Sequence, residues 1–327
     1  MINLSANYMG LILKNPIVIS SCSLSHSADG VKRLADAGAG AVVLKSLFEE
    51  QILSDTRKLE LSAESVGHTE EIDYLRQMGM TQRSDEYLEM IEKAKEAVEI
   101  PIIASINCIS DAAWTDYAKY IEAMGADGLE LNIALMPKKF DENPQDIEER
   151  MYRIIEIVKH NINIPVAVKL GPYFTSIPRV ATKVRKSGAS ALVLFNRFYQ
   201  PDIDIQTFEF QSKNRYSSPA EMSNTLRWIA ILYKKINCTL VANSGIHDGE
   251  AVVKQILAGA SAVQICSTLY INGLSQIENM LFYLQEWMRR NEYASLDEFR
   301  GLISQKNAMQ PEYFERQQYI RALVGVE

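Results

Sequence analysis

The 327-residue chain predicts a (β/α)8 TIM barrel with an N-terminal hairpin and a C-terminal helical extension, and three observations carry that reading. Eight short apolar runs, rich in β-branched residues, recur along the chain. Segments with a helical apolar repeat lie between them. Four of the runs are entered through the same small-residue turn. A parallel strand buried on both faces reads as a continuous apolar run, and eight strand–helix repeats close a parallel sheet into a barrel. The competing architecture is an open doubly wound sheet, which normally carries a glycine-rich dinucleotide loop after its first strand. Here that turn reads SSCSLSHSADG, without GxGxxG spacing.

Taken in order, NLSANYMGLILKNP predicts a small hairpin plugging the barrel floor, and PIVISS (16–21) the first strand. The second strand lies in AGAGAVVLKS (37–46), the third in PIIASIN (101–107) and the fourth in MGADGLELNIA (124–134). PVAVKLG (165–171), SGASALVLFN (187–196), CTLVANSG (238–245) and AGASAVQICST (258–268) supply the remaining four. Helical stripes join them: Tyr87, Leu88, Ile91, Ala94 and Val98 in 84–98, then Trp114, Tyr117, Ile121 and Met124 in 111–124. Residues 146–160 carry Ile147, Met151, Ile154, Ile155 and Val158 behind Asp146 as N-cap. Ser218-Pro219-Ala220-Glu221 reads as a capping box opening a helix with Leu226, Ile229, Ala230 and Tyr233 on its apolar face. Residues 275–291 predict an amphipathic helix and SLDEFRGLIS (295–304) a short capped one. The barrel thus spans 1–304 as one domain, with 305–327 as an extension.

Spacing points to the working face. Strand starts near 16, 41, 101, 128, 165, 190, 238 and 262 leave the second and sixth units longer than the rest, at 60 and 48 residues. The surplus, 47–83 and 197–217, follows a strand and precedes its helix, so it predicts loops at the C-terminal face, as a lid or a dimer contact.

Composition narrows the function. A net charge of −7, from 34 basic and 41 acidic residues, supplies no attraction for nucleic acid. No window approaches the roughly 18 apolar residues of a membrane span, and the start lacks the basic and apolar regions of a signal, which predicts a cytoplasmic protein. Cys22, Cys108, Cys238 and Cys266 form no CxxC pair, and His26, His68, His160 and His247 have no metal-ligand spacing, so no metal site is expected.

Polar residues collect where the strands end. They are Ser20 and Ser21, Lys45 and Ser46, Asn107, Glu130 and Asn132, Lys169, Asn196, Asn243 to Gly245, and Cys266 to Thr268. A lysine inside an apolar strand is costly to bury without an acceptor or anion. Lys45 and Lys169 together therefore indicate an electron-rich small-molecule ligand, unless each pairs with a carboxylate such as Glu130. The small-residue turns after strands seven and eight suit a phosphate, whose oxygens take backbone N–H groups.

These motifs are similar to those of the dihydroorotate dehydrogenase family of class 1 type. The resemblance runs from NPIVISS through KSL, GLELNIA, PVAVKLGPYF, LVLFN, VANSGI and QICSTL to NEYASLDEFRGLIS. It implies an FMN-binding barrel that oxidises dihydroorotate in pyrimidine biosynthesis, and a homodimer. By that resemblance Ser20, Ser21, Lys45 and Ser46 touch the flavin ring. Asn132 reaches ring and substrate, Lys169 sits by the ring's N1 and O2, and Asn196 faces substrate. Ser244, Gly245, Cys266 and Ser267 hold the phosphate, where the family usually has Gly-Gly and Gly-Thr. The catalytic set is then Lys45, Lys169 and Asn132.

Two departures touch the chemistry. The family's base is the Cys of an ELNxSCPN motif, and Leu135 stands at that place, unable to accept a proton. General base catalysis contributes about 10²–10⁴-fold, so its loss matters. The family's NSMGLPN loop reads RQMGMTQ around Gly79. Cys108, or Cys22, is the available substitute base. Three other readings stay open: a flavoprotein acting on another substrate, a non-catalytic flavin-binding protein, and an aldolase using Lys45 or Lys169 as nucleophile.

Overall fold

The structure, a computed structural model, describes residues 2–52, 84–108, 115–133, 135, 137, 139–198, 200–211, 215–309, 311–314 and 324. The chain opens with a hairpin of β1 (Ala6–Tyr8) and β2 (Leu11–Leu13). Strand β3 (Ile17–Ile19) leads to α1 (Ala28–Asp36), and the second barrel strand comes in two pieces, β4 (Ala41–Val43) and β5 (Leu47–Phe48). Then come α2 (Ser84–Ala97), β6 (Ile102–Cys108), α3 (Thr115–Ala123), β7 (Gly128–Ile133), α4 (Pro144–Asn161), β8 (Val166–Leu170), α5 (Ile177–Lys186) and β9 (Ala191–Leu194). A second hairpin, β10 (Asp202–Asp204) with β11 (Glu209–Gln211), precedes α6 (Met222–Leu232). The series ends with β12 (Thr239–Asn243), α7 (Gly249–Ala258), β13 (Ala262–Ile265), α8 (Ser267–Asn272) and α9 (Gln276–Arg290).

The large sheet runs β4-β3-β13-β12-β9-β8-β7-β6-β5, and β4 also pairs with β6, which returns the order to its start. Eight parallel strands therefore close into the predicted (β/α)8 barrel, each beginning within a residue of its predicted start. The chain forms two compact units.

The unit of Ile19–Lys169 with Thr182–Ser190 is built on β4 to β8. Ile102, Ile103, Ala104, Leu129, Leu131, Val166 and Val168 are fully buried in its strands. Helix α2 buries Tyr87, Met90, Ile91 and Ala94, so Met90 joins the predicted stripe while Leu88 and Val98 stay half-buried. Lys95 donates to both Asp127 oxygens, at 2.8 and 2.7 Å, and Asp127 also accepts the Ile102 N–H at 2.7 Å, tying α2 to the start of β6. Helix α4 begins earlier than its predicted Asp146 cap. Asn143 caps it by accepting the Gln145 N–H at 3.0 Å, because Pro144 supplies a preset first helical residue that needs no acceptor.

The unit of Met1–Val18, Leu170–Ala181 and Ala191–Glu327 holds the hairpin and the last strands. Tyr8 and Leu13 are fully buried, and β1 packs against β12 and β13, with Gln264 Nε2 donating to the Tyr8 hydroxyl at 3.4 Å. The stretch 197–217, expected as loop, contains the β10–β11 hairpin. Its turn signal was hidden: Phe208, not glycine, takes the left-handed position at φ 58°, while Asp204 Oδ1 accepts the Gln206 and Thr207 N–H groups. The segment at 295–304 is a single 3-10 turn, Leu296–Glu298, in place of the expected helix; Ser295 Oγ donates to Glu298 at 3.0 Å. Most of 47–83 and residues 109–114, with Trp114, lie outside the described residues.

Strand β6 depends on one buried phenol. The Tyr87 hydroxyl accepts the Ser105 N–H at 2.8 Å and donates to the Ser105 carbonyl at 3.2 Å. Tyr87→Phe leaves both backbone groups unpaired, so the midpoint of urea unfolding should fall by an amount equivalent to about 1–3 kcal/mol. An unchanged midpoint would show that the strand does not need the phenol.

Candidate active site

Polar side chains gather in two clusters, one in each unit. In the first, register decides what can meet. Ser105 pairs with Glu130, Asn107 with Asn132, and Asn132 with Lys169 across β6, β7 and β8. Side chains alternate along a strand, so these five share one face of the sheet. Lys169 is 5% exposed and Glu130 is 0% exposed. The Lys169 ammonium donates to Ser20 Oγ at 2.9 Å and lies 3.6 Å from Glu130 Oε1. The carboxylate alternative weighed from sequence is thus realised for Lys169, at ion-pair rather than tight hydrogen-bond distance. Neither charge could be buried cheaply without the other.

Lys45 and Ser46 owe their placement to a bulge. Between the pairs Val43↔Ile103 and Leu47↔Ile106 the second barrel strand spends one residue more than its partner β6. An extra residue bends the strand and re-aims its side chains. Lys45 is half-buried, its N–H donating to the Ser25 carbonyl at 3.3 Å. Ser46 Oγ lies 3.0 Å from Ser21 Oγ and 2.7 Å from Ser105 Oγ, and its N–H donates to Ser21 Oγ at 2.8 Å. A run of hydroxyls, Ser21–Ser46–Ser105, therefore ends at Ser105, whose backbone N–H and carbonyl are bonded to the Tyr87 hydroxyl. Burial pushes the Tyr87 phenol well above its ordinary value, the Ser105 backbone bond opposes this, and the Glu130 charge adds to it. Ser105 was not singled out from sequence, and Tyr87 was read there only as part of a helical apolar stripe. A lone serine two residues before Asn107 in an apolar strand was the available signal for the first.

Leu135 is half-buried and offers no proton acceptor. Cys108 ends β6, but its side chain lies outside the described residues, as do Gly79 and its loop. Cys22 is half-buried ahead of the turn Ser23–Ser25.

The second cluster lies at the ends of β9, β12 and β13. The Phe195 carbonyl accepts from Asn243 Nδ2 at 2.6 Å and from Ser244 Oγ at 3.1 Å. The Asn196 N–H donates to the Leu170 carbonyl at 2.7 Å, placing Asn196 beside the end of β8. Ser244 and Gly245 have φ of 77° and 73°, so a serine holds the glycine-like conformation that the lost glycine would take. Ser217, missed from sequence, organises the rest. Its hydroxyl accepts the Gly245 N–H at 3.4 Å and sits 3.1 Å from His247 Nε2, while its own N–H donates to Ser267 Oγ at 3.0 Å. Cys266 is the half-buried residue before α8. Gly245, His247 and Ser267 are thereby gathered around one buried serine.

Gly245 cannot be replaced in this turn. A β-carbon there would stand 2.2 Å from Met222 N, against backbone that cannot yield. Gly245→Ala should lower stability by about 1–3 kcal/mol, read as a depressed thermal midpoint; an unaltered midpoint would mean that the turn can open.

Comparison with known proteins identifies the family. The family model for dihydroorotate dehydrogenase matches residues 3–288. The catalytic subunit of dihydroorotate dehydrogenase B (NAD(+)) from Methanocaldococcus jannaschii is 29% identical over 311 residues, covering 91% of this chain and 97% of that one. Its counterpart from Methanocella arvoryzae is 29% identical over 304 residues, with 91% and 97% covered. The Pyrococcus abyssi counterpart is 28% identical over 308 residues, with 91% and 98% covered. With barrel, strand-end polar clusters and match in accord over most of its length, the chain belongs to the dihydroorotate dehydrogenase family and is an oxidoreductase of that type.

Proposed function

We propose that the protein is an FMN-dependent dehydrogenase acting on a CH–CH bond, with dihydroorotate as the substrate to expect from its family. The observation that carries this reading is the family match over residues 3–288, and it is supported by Lys169, a buried cation paired with Glu130 and hydrogen-bonded to Ser20 among the strand-end hydroxyls. Both clusters fit the cofactor. The Lys169 ammonium with the Ser20, Ser21 and Ser46 hydroxyls suits the electron-rich edge of a flavin ring. The Ser244–Gly245 turn keeps its glycine-like backbone and suits a phosphate.

When bound, FMN supplies the two-electron acceptor that protein side chains lack. The chain's own residues do the rest. Lys169 presents fixed positive charge where negative charge develops, which is worth most in a site closed to water. Ser20, Ser21, Lys45 and Ser46 hold the ring's edge, and Asn132 and Asn196 orient the substrate with amide hydrogen bonds. Ser244, Gly245, Cys266 and Ser267 hold the phosphate.

Leu135 favours a second reading, in which the same flavin chemistry serves another small substrate. A leucine cannot take the proton that must leave dihydroorotate along with the hydride. Anaerobic mixing of the FMN-loaded protein with dihydroorotate separates the two. Bleaching near 450 nm at a rate lowered by about 10²–10⁴-fold, the usual contribution of a general base, is the outcome expected if dihydroorotate is the substrate. Flavin that is retained but stays oxidised would refute dihydroorotate and leave the second reading. Protein that takes up no FMN would refute both. The relatives are named NAD(+)-linked catalytic subunits, so NAD+ is the first acceptor to try.

The same reading includes a cytoplasmic homodimer. Among the described residues no helix is long and apolar enough to cross a membrane. Ile203, Ile205, Phe208 and Phe210 on the β10–β11 hairpin are 54% to 87% exposed, an apolar surface suited to self-association. Sedimentation should give a dimer that Phe210→Asp weakens; a monomeric parent protein would exclude it.

A further inference from the structure

We infer that Glu130 is a positioning residue that sets the reduction potential of the cofactor through Lys169. The inference rests on the FMN reading above and adds a role for a residue that touches neither cofactor nor substrate in that reading. Glu130 lies two residues before Asn132 on β7, so strand alternation places it on the same face, one layer deeper. It is 0% exposed, and its Oε1 is 3.6 Å from Lys169 Nζ. Ser20 Oγ takes the same ammonium at 2.9 Å. Part of the hold on the Lys169 ammonium is therefore a buried carboxylate in the layer beneath it.

The consequence follows from charge. Lys169 favours the reduced cofactor because it stabilises added negative charge. Glu130 holds that ammonium back toward the deeper layer, in surroundings where little water screens the attraction between the two charges. Its charge is felt nearby: the buried Tyr87 phenol is pushed up partly by Glu130. The pair thus acts as a set point. A bare lysine would make the cofactor too good an electron acceptor to give electrons up again, and an absent lysine would make it too poor.

Spectroscopic redox titration of the FMN-loaded protein at pH 7 tests this. Glu130→Gln keeps the shape and removes the charge, freeing Lys169. The potential should rise by the equivalent of at least a tenfold change in the oxidised-to-reduced ratio, about 30 mV for a two-electron couple. Lys169→Met should lower it, and Glu130→Gln placed on that background should then change nothing, because the residue it acts through is gone. An unmoved potential in Glu130→Gln overturns the inference, and so does an equal rise in both backgrounds, which would mean a direct field. If Glu130→Gln does not fold, the parent holoprotein decides. Its reduced-minus-oxidised infrared spectrum should contain a shifted carboxylate stretch that Lys169→Met abolishes; the absence of that band overturns the inference. A parent protein that takes up no FMN removes the cofactor reading itself, and the inference with it.

Discussion

Lys169 and Glu130 face each other inside an apolar sheet, and much of the surrounding structure can be understood as making that possible. Two opposite charges at 3.6 Å, one 5% and the other 0% exposed, are tolerable only if partners are fixed in advance. Barrel closure provides this. It locks the register of β6, β7 and β8, so that Ser105, Glu130, Asn132 and Lys169 fall on one face, and Ser20 takes the remaining reach of the ammonium. A slip of one residue in β7 would turn Glu130 and Asn132 to the helix side together.

Around this pair the hydroxyl groups Ser21, Ser46 and Ser105 form a linked layer, and it depends on the irregularity in the second strand. Without the extra residue between β4 and β5, Lys45 and Ser46 would alternate into and out of the sheet in the ordinary way. The bulge is thus the local deformation that brings a second lysine and a serine to the end of the same strand. Tyr87 holds the backbone of β6 rigid beneath it, so the irregularity on one strand does not spread to the next.

The Ser244–Gly245 turn makes a different point about substitution. Two positions where family members usually carry glycine hold Ser244 and Cys266. At Ser244 the backbone nonetheless keeps φ of 77°, and the Oγ bond to the Phe195 carbonyl offsets part of the strain of a β-carbon there. Gly245 has no such freedom, since backbone at the start of α6, at Glu221 and Met222, fills the space. The main chain at Ser244 therefore takes a glycine-like shape although the side chain is not glycine. At Leu135 the reverse holds. A single side chain alters what chemistry is available, and no backbone adjustment restores a proton acceptor.

The sequence by itself determined the alternation, the count and nearly the start of every barrel strand. Continuous apolar runs between helical stripes leave few other ways to bury two-faced strands. It also singled out Lys45 and Lys169 as candidate site residues, because a charge in such a run needs a reason. It left open whether Lys169 meets a ligand or a carboxylate, and it did not reveal Ser105, Tyr87, Ser217 or His247 as members of the clusters. Those are decided by register, by a one-residue bulge and by loops returning from 28 to 50 residues away, as between Ser217 and Gly245 or Ser267. The β10–β11 hairpin escaped for a related reason, its turn resting on a left-handed Phe208. Local pattern records what each segment must bury; which polar groups then share one space depends on distant strands pairing at one offset and not another, and only the tertiary structure decided that.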